Sequence, residues 1–149
     1  MNQKFLIGRK DIADFPELQL NNIAVKIDTG AYTSSIHCHH IEEKEINGQK
    51  AICFELLDPQ HEAYNNKQIT LTQYKQKKIK SSTGNSEKRF IIYTSIVLFN
   101  KEYPVELSLS ERSEMKYPVL LGRKLLKNNF IVDPSKVNIS FRHSNELEK

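Results

Sequence analysis

Apolar positions along this chain fall in short runs and alternations, with little of the three-to-four spacing of long helices. Ile23-Ala24-Val25-Lys26-Ile27 predicts a strand that runs into Asp28. Ala51-Ile52-Cys53-Phe54-Glu55-Leu56-Leu57 predicts a second. It is entered through Asn47-Gly48, a pair that tolerates the positive φ angles of a tight hairpin, and it ends at Asp58-Pro59. Residues 59–67 are polar and turn-rich and predict a mobile loop. A further hairpin is marked by Ser81-Ser82-Thr83-Gly84-Asn85-Ser86, and its return arm over 89–99 is rich in β-branched and aromatic residues. After a turn at Asn100-Lys101-Glu102, Val105, Leu107 and Leu109 alternate with Glu106 and Ser108, the period of a half-buried strand. Val137-Asn138-Ile139-Ser140-Phe141 alternates again and predicts a terminal strand, while only 123–128 reads as helix, stopped by Asn128-Asn129. The expectation is an all-β chain, mainly β with one short helix, closed into a small barrel or sandwich and occupying 1–149 as a single domain.

Composition changes this picture little. With 38% hydrophobic and 27% charged residues over 149 positions, the chain reads as an ordinary soluble globular protein with room for a core. The opening apolar run, Phe5-Leu6-Ile7, is too short for a signal-peptide core, and no stretch reaches the roughly 18 apolar residues of a membrane span. Cys38 and Cys53 read as reduced core thiols, so the expected location is the cytoplasm. The net charge of +4 is mild but unevenly placed. Lys67, Lys75, Lys77, Lys78, Lys80, Lys88 and Arg89 stand against the single acid Glu87. Such a strip is either a solvated hairpin face or an electrostatic guide for an acidic substrate or partner. Nucleic acid is not expected, since no binding motif accompanies it and Tyr74 and Phe90 are the only nearby aromatics.

The candidate chemistry lies at Asp28-Thr29-Gly30-Ala31. A carboxylate at the end of an apolar strand, followed by a small hydroxyl residue and two minimal side chains, suits the floor of a cleft. In isolation the same tripeptide is an ordinary turn after a strand. Pro118-Val119-Leu120-Leu121-Gly122-Arg123 shifts the balance. The pair resembles the two signatures of retropepsin-like aspartic proteases, in which an apolar-apolar-Gly segment threads past the Asp-Thr-Gly loop and starts a short helix. The flanks narrow the likeness. Val25 to His37, Leu107-Ser108-Leu109-Ser110-Glu111-Arg112, Phe130-Ile131-Val132-Asp133-Pro134 and Ile7-Gly8-Arg9-Lys10 resemble the bacterial retropepsin-like family that carries the label ATP-dependent zinc protease. The resemblance covers nearly the whole chain.

That resemblance implies a retropepsin-like barrel and an aspartic endopeptidase, a hydrolase of peptide bonds. Its two carboxylates would share one proton and hold a water between them, one acting as base while the other donates to the peptide carbonyl. Asp11, Asp14, Asp58 and Asp133 are not followed by Thr/Ser-Gly, so the dyad requires Asp28 from each chain of a homodimer. Thr29 and Gly30 would hold its geometry. Ala31, Leu121, Gly122 and Arg123, with Ser82, Thr83, Gly84 and Asn85 as a flap, would line the bound peptide. Residues 42–72 account for the greater length relative to the minimal viral enzymes. Retroviral members often carry an acid where this chain has Tyr32, which leaves the partner of Arg123 open. The family resembles companions of ATP-grasp amino-acid ligases, which suggests an acidic or glutamate-modified protein tail as substrate. The rival expectation is a non-catalytic protein- or peptide-binding module on the same barrel.

No cofactor or metal is expected. His37-Cys38-His39-His40 has the right donor types for zinc, yet strand alternation lets only His37 and His39, or Cys38 and His40, share a face. His61 begins a helical zinc motif whose second histidine is missing. No Gly-rich phosphate loop supports ATP binding. Ser34 and Ser35 near His37 lack the strained turn of a serine nucleophile.

Overall fold

A computed structural model describes residues 4–57, 64, 67–80, 84, 86–111 and 117–147. The expected loop over 59–67 lies largely outside these, as do His61 and Arg112. Eleven strands follow one another: β1 Phe5–Ile7, β2 Lys10–Phe15, β3 Leu20–Ile27, β4 Ser34–Ile46, β5 Gln49–Leu56, β6 Gln68–Leu71, β7 Tyr74–Lys80, β8 Ser86–Leu98, β9 Lys101–Ser110, β10 Val119–Leu121 and β11 Phe130–Val132. Two helices, α1 Arg123–Leu126 and α2 Ile139–Leu147, complete the described chain with a 3-10 turn at Pro16–Leu18.

Six strands close a ring in the order β10-β3-β2-β8-β9-β4, because β10 pairs with β3 on one side and β4 on the other. The interior is built by alternation: Val25 and Ile27, Ile36, Leu107 and Leu109, and Val119 and Leu121 all point inward and are buried. Two extensions leave the ring. The long outer half of β4 continues into β5 through Asn47 and Gly48, both at positive φ, and then into β6; this is the material of residues 42–72. β7 attaches only to β8, so the two form a projecting hairpin.

The fold is mostly β, as the alternation predicts, but the C-terminal segment is a correction. Val137 makes an isolated parallel bridge to Lys10, Asn138 turns at φ 57°, and the chain then becomes helical instead of extended. The cause lies 129 residues away. The carboxylate of Asp11 in β2 accepts from the N–H of Ser140 at 2.9 Å and of Phe141 at 3.1 Å, satisfying free donors in the first turn of α2. The Ser140 hydroxyl in turn accepts from the Phe99 N–H at 2.7 Å. Asp11 is 2% exposed, and burial pushes its carboxyl above the ordinary range despite those hydrogen bonds. Asp11→Ala is expected to lower stability by about 1–2 kcal/mol, through the lost cap and the orphaned N–H groups. Urea denaturation checks it: an unchanged midpoint would mean the cap contributes nothing.

Candidate active site

The two signature segments meet because β10 lies parallel to β3, Val119–Leu121 against Val25–Ile27. One bond beyond the ladder, the Asp28 N–H donates to the Leu121 carbonyl at 2.8 Å. Asp28 is half-buried at the strand end, and its Oδ1 accepts from the Gly30 N–H at 3.0 Å. A Cβ added at Gly30 would lie 3.3 Å from that oxygen, so the small residue keeps the approach open. Thr29 and Gly30 are exposed and Ala31 is half-buried.

From the other side, the backbone N–H of Arg123 donates to the Ala31 carbonyl at 2.8 Å and that of Lys124 to Tyr32 at 2.9 Å. The Arg123 guanidinium donates to the Thr29 carbonyl at 2.9 Å and lies 5.8 Å from the Tyr32 ring centre. This answers the open question about Arg123. Where an acid is absent, a backbone carbonyl and an aromatic face take the cation. Gly122 is packed so tightly that a Cβ would stand 2.7 Å from the Tyr32 carbonyl oxygen and 2.9 Å from that of Ala31. Its N–H donates to the Ser34 hydroxyl at 3.0 Å. Ser34 therefore braces the loop, a role that its sequence context did not announce.

β7 and β8 remain paired out to Lys80 opposite Ser86, bracketing the expected flap. Of its residues Gly84 is described, exposed and at φ 89°; Ser82, Thr83 and Asn85 lie outside the described residues. The arms carry like charges directly opposite one another, Lys77 against Arg89 and Lys78 against Lys88, an unfavourable pairing in the absence of a counter-charge. Arg89 has Glu87 at 3.4 Å. Lys75 is engaged by Glu106 at 2.8 Å, which also holds Lys124. Burial pushes the Glu106 carboxyl up, but the two ammonium hydrogen bonds outweigh it and hold the group below its usual range.

The sequence profile of the family described as retropepsin-like aspartic endopeptidase RimB matches residues 6–143. The chain belongs to this RimB-like family. Proteins named "Probable alpha-L-glutamate ligase" from Shewanella pealeana and Shewanella halifaxensis are 38% and 37% identical to it over 139 residues, 91% of this chain. The chain spans about 30% of the length of those curated relatives. A crystal structure of a Legionella pneumophila protein of unknown function shares its fold, with a TM-score of 0.72 and 25% identity over 93% of this chain and 99% of that one.

The zinc in the family's label can be tested on the donors. His37 and His39 do share a face, with Nε2 atoms 3.2 Å apart, and Glu111 stands 4.0 Å from His39 Nδ1. His40 instead pairs with Glu55 at 2.6 Å. Cys38 is buried, and its thiol is pushed up to about 12, chiefly by that burial, so it is no thiolate donor near neutral pH. No three of these groups converge among the described residues, and the donor set does not fit a structural zinc. Cys38 and Cys53 are both buried and unpaired with each other. No helix of the described residues is long and apolar enough to cross a membrane.

Proposed function

We propose that this RimB-like chain is an aspartic endopeptidase that works as a homodimer, Asp28 from each protomer forming the dyad. The observation that carries this reading is the clamp on the Asp-Thr-Gly loop. Leu121 holds the Asp28 backbone, Arg123 holds Thr29, and Gly122 leaves no slack, so the carboxylate is fixed while staying half-exposed. A general base needs that combination of a set position and access to water. Thr29 and Gly30 shape the loop, Ala31 and the Leu121–Arg123 segment flank the peptide, and the β7–β8 hairpin covers it. A peptide bound as an extended strand fits an exposed hairpin arm through main-chain hydrogen bonds.

The substrate we assign is an acidic protein tail, including one bearing added glutamates. Two observations support it: the opposed cations on the hairpin arms, and relatives that join this sequence to longer chains named for glutamate ligation. A cleavage screen of acidic and neutral peptides, read beside the solution mass, tests the proposal. The expected result is a dimer that cuts the acidic set, with affinity falling about tenfold between 50 and 300 mM salt as surface charges are screened. A monomer that binds peptides and cuts none would make the chain a binding module. Equal affinity for both sets at every salt concentration would make the cationic strip a solvated face.

A further inference from the structure

Ser108 sits in the middle of β9 with 2% of its surface exposed. Its hydroxyl is the one buried side-chain oxygen or nitrogen among the described residues without a hydrogen-bond partner. Buried hydroxyls in native proteins are nearly always satisfied, so an exception requires an explanation. Its place in the ladder supplies one. Ser108 lies opposite Ser35 of β4 on one side and Ile91 of β8 on the other. Ser35 lies opposite Leu120 of β10, and Leu120 opposite Lys26 of β3. Directly opposed residues project from one face of a sheet. Ile91, Ser108, Ser35, Leu120 and Lys26 thus form a single row on the outside of the barrel, the face away from Ile36, Leu107 and Leu121. Asp28 follows Lys26 by two positions and continues the same ladder through its bond to Leu121, so it takes that face too.

The row is graded. Lys26 is exposed, Leu120 and Ser35 are half-buried, and Ser108 and Ile91 are buried. Moving away from Asp28, the surface deepens into a recess with apolar walls and a hydroxyl floor. Two residues further along the strands, His37 lies opposite Ser110 and Arg89 opposite Lys77, so the surroundings are rich in donors and poor in acids.

We propose that Ser108, with Ser35 beside it, is the specificity-determining floor of a side-chain subsite next to Asp28. The Ser108 hydroxyl donates to an acceptor oxygen on the side chain of a bound peptide, a carboxylate or carboxamide of glutamate or glutamine length. Discrimination follows from the missing partner: an apolar side chain in the same recess leaves the hydroxyl unpaired, which is how buried polar sites reject analogues that cannot answer them. The inference rests on the peptidase reading only in taking the occupant to be a peptide.

The test separates the two. In Asp28→Asn protein, labelled hexapeptides differing only in glutamate, glutamine or norleucine at one scanned position are titrated by fluorescence anisotropy. At one register, glutamate and glutamine should bind about tenfold more tightly than norleucine. Ser108→Ala in the same background should erase that ratio while leaving norleucine binding within about twofold, and Ser108→Thr, which keeps the hydroxyl, should retain it. Because Ser108→Ala removes an orphaned group, its melting temperature should not fall, which excludes unfolding as the cause. A ratio unchanged in Ser108→Ala, or no preference at any position in the parent, overturns the subsite. Cleavage is scored separately with Asp28 intact. Preference without cleavage supports the subsite and removes the peptidase reading, whereas cleavage without preference removes the subsite alone.

Discussion

Asp28→Asn is expected to lower peptide cleavage by about a thousandfold or more, with the melting temperature unchanged. Asparagine has nearly the same shape, and its side-chain oxygen still accepts from the Gly30 N–H that now meets Asp28 Oδ1 at 3.0 Å. The backbone bond to Leu121 does not involve the side chain. What asparagine lacks is the ability to take a proton from water or return one, and a shared-proton dyad needs both. Steady-state cleavage of an acidic peptide, with a melt of each protein, reads both halves of the expectation. Full activity in Asp28→Asn would end the aspartic mechanism, and loss of the fold would mean that the carboxylate is structural.

Gly122→Ala should damage both stability and activity, by about 3 kcal/mol and therefore about 10 °C in melting temperature. The new methyl would press on backbone carbonyls of Ala31 and Tyr32 at 2.9 and 2.7 Å, groups that cannot swing aside as a side chain could. Those carbonyls accept the N–H groups of Arg123 and Lys124, so any relief by movement opens the clamp on the Asp28 loop. Ser34→Ala removes only the hydroxyl that accepts the Gly122 N–H and should cost less. A melting temperature for Gly122→Ala within a degree or two of the parent would show that the loop yields freely and that the contact is not what positions Asp28.

Much of this was legible before any coordinates. Ile23 to Ile27 and Val105 to Leu109 show their strands openly because their inward positions are all apolar. β2 hides, because its inward positions are Asp11, Ala13 and Phe15, and a carboxylate on the buried side breaks the alternation that marks a strand. The same residue explains the mistaken terminal strand. The alternation of 137–141 is real, but a cap supplied from β2 decides its conformation, and nothing local in Ile139-Ser140-Phe141 announces a partner so distant in the chain. At the site, Asp28, Gly122 and Arg123 could be named from their motif. The Tyr32 ring beside Arg123 and the Ser34 hydroxyl under Gly122 could not, since both depend on how two remote segments seat against each other. Ser108 looked like the polar half of an alternating strand, and only the closure of the ring shows it to be buried.

The threading of β10 also orders events in time. Thr29 and Arg123 stand 94 residues apart in the chain, and the strand that joins them must slide between β3 and β4, pairing with both. Contacts of such long range form late, since the intervening loop must first be closed. On a ribosome, the Asp-Thr-Gly loop emerges early but stays unclamped until residues 119–123 arrive and dock. A nascent or truncated chain therefore carries the aspartate without the geometry that would make it a cutting group. In this topology, competence is withheld until synthesis is nearly complete, with no propeptide needed to enforce the delay.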